Sequence, residues 1–153
     1  MTDIVDPATR SRMMSGIRGV DTKPELIVRK ALFASGFRFR LHRKDLPGRP
    51  DIVLPGRQVA IFVHGCFWHV HQGCRYAKTP ASRKEFWEVK LAANVARDSA
   101  KRDALLLKGW RVLIVWECAT RSISVKELLP DLLKDWMEGS RTTGEIDSGS
   151  TFP

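Results

Sequence analysis

Three histidines, one cysteine and two adjacent large aromatics fall within the stretch His64-Gly65-Cys66-Phe67-Trp68-His69-Val70-His71. Packing alone does not call for such a density. Imidazole moves protons near neutral pH, and Cys with His is the usual ligand set for zinc, so metal binding, proton transfer and stacking meet in one loop. Four residues separate Cys66 from His71 and two separate His71 from Cys74, with a long return to Cys118. A Cys3His set is closed and four-coordinate, which is the structural zinc pattern and not the catalytic one with an open position. The plainer alternative is buried thiols with His71 at the surface; three ligands so close together favour zinc.

Asp51 forms a second group with His64 and His69. Asp51 starts one expected strand and His64 ends the next, so a hairpin brings them near each other. One carboxylate facing imidazoles can hold Mg²⁺ and place a general base beside it. The metal would polarise a phosphodiester, and an unprotonated His69 would take the proton of the attacking water. Against this, an Asp after Pro is often a turn residue, and a His flanking a zinc loop is often only a hydrogen-bonding neighbour. Phe67, Trp68 and Trp87 could wedge between base pairs, and a mismatched step costs less to open than a paired one. For Trp87 the alternative is a core stripe with Leu91 and Val95 at helical spacing. Phe67 and Trp68 are neighbours and so tend to point apart, which leaves one of them for the core. Glu25 as a helix cap, Asp98 as an exposed helix residue, Arg10 as part of a solvated arm and His42 as a surface residue are each explained without chemistry.

The elements that must position these groups are legible in outline. Thr22 and Glu25 form a capping box with Pro24 in the first turn, opening a helix that Gly36 ends. Phe37 to Leu41 alternates apolar and basic residues as a half-buried strand does. Leu46-Pro47-Gly48-Arg49-Pro50 is a rigid turn into a short strand, Asp51 to Leu54. Pro55-Gly56-Arg57 then signals a hairpin into Gln58 to Val63. Ser82 and Glu85 form another capping box, with a helix to about Lys108 and Gly109 as its stop. Trp110 to Trp116 is nearly all apolar, as a central strand covered on both faces should be. Ser124 and Glu127 start a last helix that ends near Gly139. The result is an α/β (α+β) domain, a mixed sheet between helices. It divides into a basic arm at 1–20, a folded domain at 21–139 and a flexible tail at 140–153.

The chain has 153 residues and a net charge of +9. That length suits one domain with a core of its own. The positive excess lies in the first 110 residues, while residues 111–153 are net acidic, so a polyanion such as nucleic acid would meet the first two thirds. No apolar run is long enough to span a bilayer and the N-terminus has no secretory pattern, which suggests the cytoplasm. Three cysteines cannot all pair within one chain, and this favours thiols or a metal over a disulfide framework.

Several longer motifs, in this order, resemble the very short patch repair (Vsr) mismatch endonucleases. They are Ala8-Thr9-Arg10-Ser11-Arg12-Met13-Met14, Leu46-Pro47-Gly48-Arg49-Pro50-Asp51, the His64 to His69 loop, Glu85-Phe86-Trp87, Asn94-Val95-Ala96-Arg97-Asp98, and Gly109 through Cys118. The resemblance implies a restriction-endonuclease-like fold and a strand-specific nick 5′ to the thymine of a T:G mismatch left by deaminated 5-methylcytosine. It implies that Asp51 and the backbone carbonyl of Val63, where the family commonly has Thr, bind Mg²⁺. His69 would be the base and His64 the phosphate support, while Glu25 and Asp98 would hold a water on the metal and orient a histidine. Phe67, Trp68 and Trp87 match the intercalating wedge, Cys66, His71, Cys74 and Cys118 the zinc site, and the arm with Arg10 and Arg12 the part that embraces double-stranded DNA. The asymmetric target implies a monomer, acting at the bacterial nucleoid and with possible contacts to mismatch-repair proteins. Another nuclease of this fold, or a zinc-stabilised DNA-binding module without catalysis, are the competing readings.

Overall fold

The computed structural model describes residues 21–150; the expected arm, with Arg10 and Arg12, lies outside the described residues. Helix α1 (Lys23–Ala34) begins as the sequence requires, with Thr22 Oγ1 accepting the Glu25 N–H at 3.4 Å and Pro24 in the first turn. Strands β1 (Arg40–Leu41), β2 (Ile52–Leu54) and β3 (Val59–His64) follow as an antiparallel meander. The long helix α2 (Lys84–Leu107) then crosses over to β4 (Arg111–Trp116), which pairs parallel to β3. A short helix α3 (Glu117–Arg121), helix α4 (Ile123–Glu138) and strand β5 (Thr143–Ile146) complete the chain, and the sheet order is β1-β2-β3-β4-β5.

Period-two alternation divides the strand side chains between two cores. Ile52, Leu54, Val59, Ile61, Leu113 and Val115 face α1 and α4, where they meet Val28, Leu32, Leu129 and Leu133. Val53, Ala60, Phe62 and Val112 face the other way, towards Leu46 and Leu105. The central strand is therefore covered on both faces, as its apolar run requires. α2 buries only Leu91 and Leu105, and its Asn94 and Asp98 meet the chemistry-bearing loop that follows β3.

Three local expectations are corrected. The expected strand over Phe37 to Leu41 is reduced to Arg40–Leu41, the two residues that pair with Val53 and Ile52; Phe37 and Phe39 keep the alternation and pack into the core, Phe37 under the Arg57 guanidinium. Ser82 does not cap α2; Arg83 takes the N-cap position in a left-handed conformation (φ 56°), with its guanidinium over the Phe86 ring. Ser122, and not Ser124, caps α4 through the Val125 N–H.

The fourth correction is larger. Residues 140–153 are not simply a tail: Thr143–Ile146 form β5, which adds to the edge of β4 in parallel, from Val112↔Thr143 to Val115↔Ile146. Only Ile146 of this strand is buried, so it carries no apolar signature. Its placement comes from Arg111, whose guanidinium donates to the carbonyls of Trp136, Met137, Gly139 and Arg141 and ties down the segment between α4 and β5. Gly144 lets the strand pass against Trp136, since a Cβ there would stand 2.1 Å from Nε1 of that buried indole. Gly144→Ala should therefore destabilise the protein by about 1–3 kcal/mol through overpacking, read as a lower urea midpoint; an unchanged midpoint would show that the indole moves freely.

Candidate active site and metal centre

β3 and β4 end together, with His64 paired to Trp116, and the loop that follows β3 turns back over both strand ends. Loop hydrogen bonds from the His69 N–H to Gly65 O and from the His71 N–H to Cys66 O give it a tight, helix-like course. His69, His64, Asp51, Glu25 and Asp98 all line one cleft of about 720 Å³.

The imidazoles of His64 and His69 stack at 3.8 Å with their planes 7° apart. Asp98, on the cleft side of α2, sits 2.6 Å from His69 Nδ1, so Nε2 is the ring nitrogen that this contact does not use. Burial raises the cost of ionising Asp98, but the hydrogen bond and charge of His69 outweigh it and hold the carboxyl below its ordinary value. It is thus a hydrogen-bonded carboxylate of the cleft and not the exposed helix residue that composition allows. His64 is buried, and among the described residues its Nδ1 has no hydrogen-bond partner. Burial first, then the proximity of His69 and Lys101, pushes its pKa down to about 3 against the pull of Asp98. It is uncharged at neutral pH.

At the other end of the cleft two carboxylates meet. Asp51 Oδ2 accepts the Val63 N–H at 2.8 Å, which fixes the acid on β3. Burial pushes the Asp51 carboxyl up to about 6; the Val63 N–H opposes the shift and the Glu25 charge adds to it. Glu25 is buried and accepts from the Asp21 N–H and from Arg29, with His42 Nε2 3.4 Å away. A facing pair of carboxylates, Glu25 buried and Asp51 half-buried, is a hard-oxygen donor set that suits a divalent cation such as Mg²⁺.

Cys66, His71, Cys74 and Cys118 converge behind the loop, and their ligand atoms all lie within 4.8 Å of one another. A tetrahedral centre with ordinary Zn–S and Zn–N bonds places S and N about 3.6 Å apart, and Cys118 Sγ lies 3.5 Å from His71 Nδ1. Burial and the other two thiols push the Cys66 thiol up, so a cation bound there has to displace a firmly held proton. All three cysteines are free thiols. The donor set and spacing therefore fit the structural zinc pattern.

Phe67, Trp68 and Trp87 form one cluster, with ring centroids 5.1 to 5.9 Å apart. All three are half-buried, so neither Phe67 nor Trp68 is lost to the core, and Trp87 belongs to this cluster while Val95 remains exposed. Three contributors escape a reading of the sequence. Asn94 donates to the Trp68 carbonyl at 3.0 Å, one helical turn before Asp98 holds the next residue, His69. Lys101 lines the cleft with its stem over Gly48, where a Cβ would come within 2.7 Å of it and where φ is +74°. His42 follows β1 opposite Asp51, its N–H donating to the Asp51 carbonyl, and so reaches Glu25 instead of solvent. Only the register of the β1–β2 pair could have signalled that contact.

The raised Asp51 pKa has a stability consequence. Its ordinary value is 3.8, so between about pH 4 and 6 the folded, Mg²⁺-free protein keeps a proton that the unfolded chain releases. The penalty is absent below that window and complete above it. Asp51→Asn should then be more stable than the parent by roughly 1–3 kcal/mol at pH 8 and nearly equal to it near pH 3.5. Urea unfolding without Mg²⁺ at the two pH values measures this, and a pH-independent difference would contradict the assignment.

The chain is similar to known proteins along most of its length. Residues 2–75 match the family model described as DNA mismatch endonuclease Vsr. The chain is 43% identical over 150 residues to the DNA mismatch endonuclease Vsr of Escherichia coli strain K12, covering 97% of this chain and 96% of that one. It is 50% identical over 127 residues to the type II nicking enzyme V.XorIIP of Xanthomonas oryzae pv. oryzae, covering 83% and 93%. With V.NmeAIP of Neisseria meningitidis, also a type II nicking enzyme, it shares 40% over 136 residues, covering 88% and 96%. A mixed sheet between helices, a cleft that joins two carboxylates to a histidine pair, and this similarity agree: the chain belongs to the Vsr family of DNA mismatch endonucleases.

Proposed function

We propose that the protein is an endodeoxyribonuclease that nicks one strand 5′ to the thymine of a T:G mismatch, with Mg²⁺ at the cleavage site and zinc as a structural ion. The observation that carries this reading is the His69–Asp98 contact of 2.6 Å in the same cleft as the Asp51 and Glu25 carboxylates. Asp51 and the Val63 carbonyl would hold Mg²⁺, with Glu25 as the neighbouring acid. Bound there, the ion supplies Lewis-acid polarisation of the phosphodiester and offsets charge on its oxygens.

The chain's own residues do the rest. With Nδ1–H donated to Asp98, the neutral His69 ring carries its lone pair on Nε2 and takes a proton from the attacking water. The imidazolium that results is stabilised by the Asp98 charge, and the uncharged His64 ring stacked behind it adds no repulsion. The water oxygen bonds to phosphorus as the bond to the 3′ oxygen breaks. Lys90, Arg97 and Lys101 line the cleft and favour a phosphate backbone there. The aromatic cluster next to His69 is placed to wedge into the base stack, most cheaply where pairing is already weak.

The partner is double-stranded DNA with a T:G mismatch, engaged by a monomer in the bacterial cytoplasm at the nucleoid, with Arg10 and Arg12 of the arm on the duplex and mismatch-repair proteins as further contacts. Among the described residues no helix is long and apolar enough to cross a membrane.

The test is a panel of strand-labelled T:G and T:A duplexes with varied flanking bases, in Mg²⁺ and in Mg²⁺-free buffer. A nick confined to the thymine strand of T:G duplexes, dependent on Mg²⁺, is expected; cutting of both strands, or of paired DNA equally well, would overturn the assignment. Asp51→Ala should abolish nicking while binding persists. His69→Ala should slow single-turnover cleavage by about 10²–10⁴-fold without loss of duplex affinity, and an unaltered rate would remove it as the base. Trp68→Ala should erode the preference for T:G over T:A duplexes in gel-shift competition; an unaltered ratio would count against the wedge.

A further inference from the structure

The segment that follows β5 reaches the back of the Cys/His cluster, and what it does there rests on the zinc reading above. Two contacts arrive from it and a third from β5 itself. Asp147 Oδ2 lies 3.3 Å from His71 Nε2, the nitrogen that His71 turns away from the cysteines. The Ser148 N–H points at Cys118 Sγ from 3.3 Å. Glu145 Oε1 accepts the Trp116 Nε1–H at 2.6 Å, and the face of that indole stacks on the His71 ring at 4.2 Å. The turn that presents Asp147 is closed on itself. The Asp147 N–H donates to Ser150 Oγ, Asp147 Oδ1 accepts the Gly149 N–H, and the Ser150 N–H returns to the Asp147 carbonyl.

Each contact has a defined use for a bound cation. A histidine that ligates through Nδ1 must carry its proton on Nε2, and a carboxylate there fixes both tautomer and ring orientation while it makes the ligand more basic. Three thiolates around Zn²⁺ leave an excess negative charge, which backbone N–H groups disperse; Cys66 Sγ receives one from Cys118 and Cys118 Sγ the other from Ser148. The indole fixes the ring plane. We propose that Asp147, supported by the Ser148 N–H and by Glu145 through Trp116, is a positioning residue that sets the zinc affinity of the Cys66-His71-Cys74-Cys118 site.

The full chain tests this through the metal itself. Zinc affinity is measured by competition with a chromophoric chelator, and ligand geometry by the visible bands of the Co²⁺-substituted protein. Asp147→Ala should bind zinc about 10–100-fold more weakly, with altered Co²⁺ bands. Asp147→Asn keeps an acceptor for the Gly149 N–H and so the turn, but sets an amide NH2 against the His71 Nε2–H in place of the accepting Oδ2, and should also bind zinc more weakly. A residue that merely stabilised the turn would lower the melting temperature and leave the Co²⁺ bands in place. Unchanged zinc affinity in Asp147→Ala overturns the proposal; if that variant does not fold, unchanged affinity in Asp147→Asn does so. Failure of the parent protein to take up one equivalent of zinc would be a different result and would remove the zinc reading itself.

Discussion

The parallel pairing of β3 with β4 is the constraint on which the rest depends. Its register runs unbroken from Val59↔Arg111 to His64↔Trp116, so both strands deliver their last residues to the same edge of the sheet. Four rings then stand in series: His69 stacked on His64, His64 edge-on to Trp116, and Trp116 stacked on His71. One end of this series is the proposed base and the other a proposed zinc ligand. A slip of one residue would turn each β3 side chain to the opposite face and break the series at its centre. The core supplies what prevents the slip, since Ile61 and Leu113, paired in that register, are both fully buried.

A rigid edge is needed because the carboxylates of the cleft work against folding. Asp51 and Glu25 face each other in a buried place, and His64 is buried without charge. The acid pair weakens the fold above about pH 6, and the neutral His64 does so only where an unfolded histidine would be protonated. The compensation lies elsewhere in the molecule, in the two apolar cores on either side of β3 and β4 and in the cluster behind the loop. A zinc ion there would close the loop with bonds that the loop's own sequence, rich in polar and aromatic groups, cannot replace by burial.

What the sequence disclosed, and what it hid, follows from the range of the interactions. The Thr22 cap, the glycine stops and the apolar run of β4 are local or periodic signals, and the structure has them where they were expected. The same Ser-x-x-Glu pattern at Ser82 failed, because a cap needs an extended backbone and Arg83 is left-handed. β5 was illegible: it is held by the Arg111 guanidinium across 25 to 30 residues and by the edge of β4, with one buried side chain of its own. The clustered ligands and the histidine pair were visible as residue types. The partners that give them direction, Asp98 excepted, were not, since His42, Asn94, Lys101 and Asp147 act from separate elements and each is an ordinary polar residue in its own neighbourhood.

The arrangement of α2 explains why the proposed wedge and the proposed base share one loop. Asn94 and Asp98 are one turn apart and therefore project on the same side of the helix. Asn94 holds the backbone of Trp68 and Asp98 holds the ring of His69, so two consecutive loop residues are fixed by two consecutive turns of one rigid rod. Trp87, nearer the start of that rod, packs on Phe67 and Trp68. Lys101, nearer its end, lies against Gly48 in the turn that leads to Asp51. A single helix thus touches the aromatic cluster, the histidine pair and the turn before the carboxylate. Because a helix resists bending far more than a loop does, these two contacts hold the Trp68 backbone and the His69 ring in a fixed relation that the loop alone would not maintain.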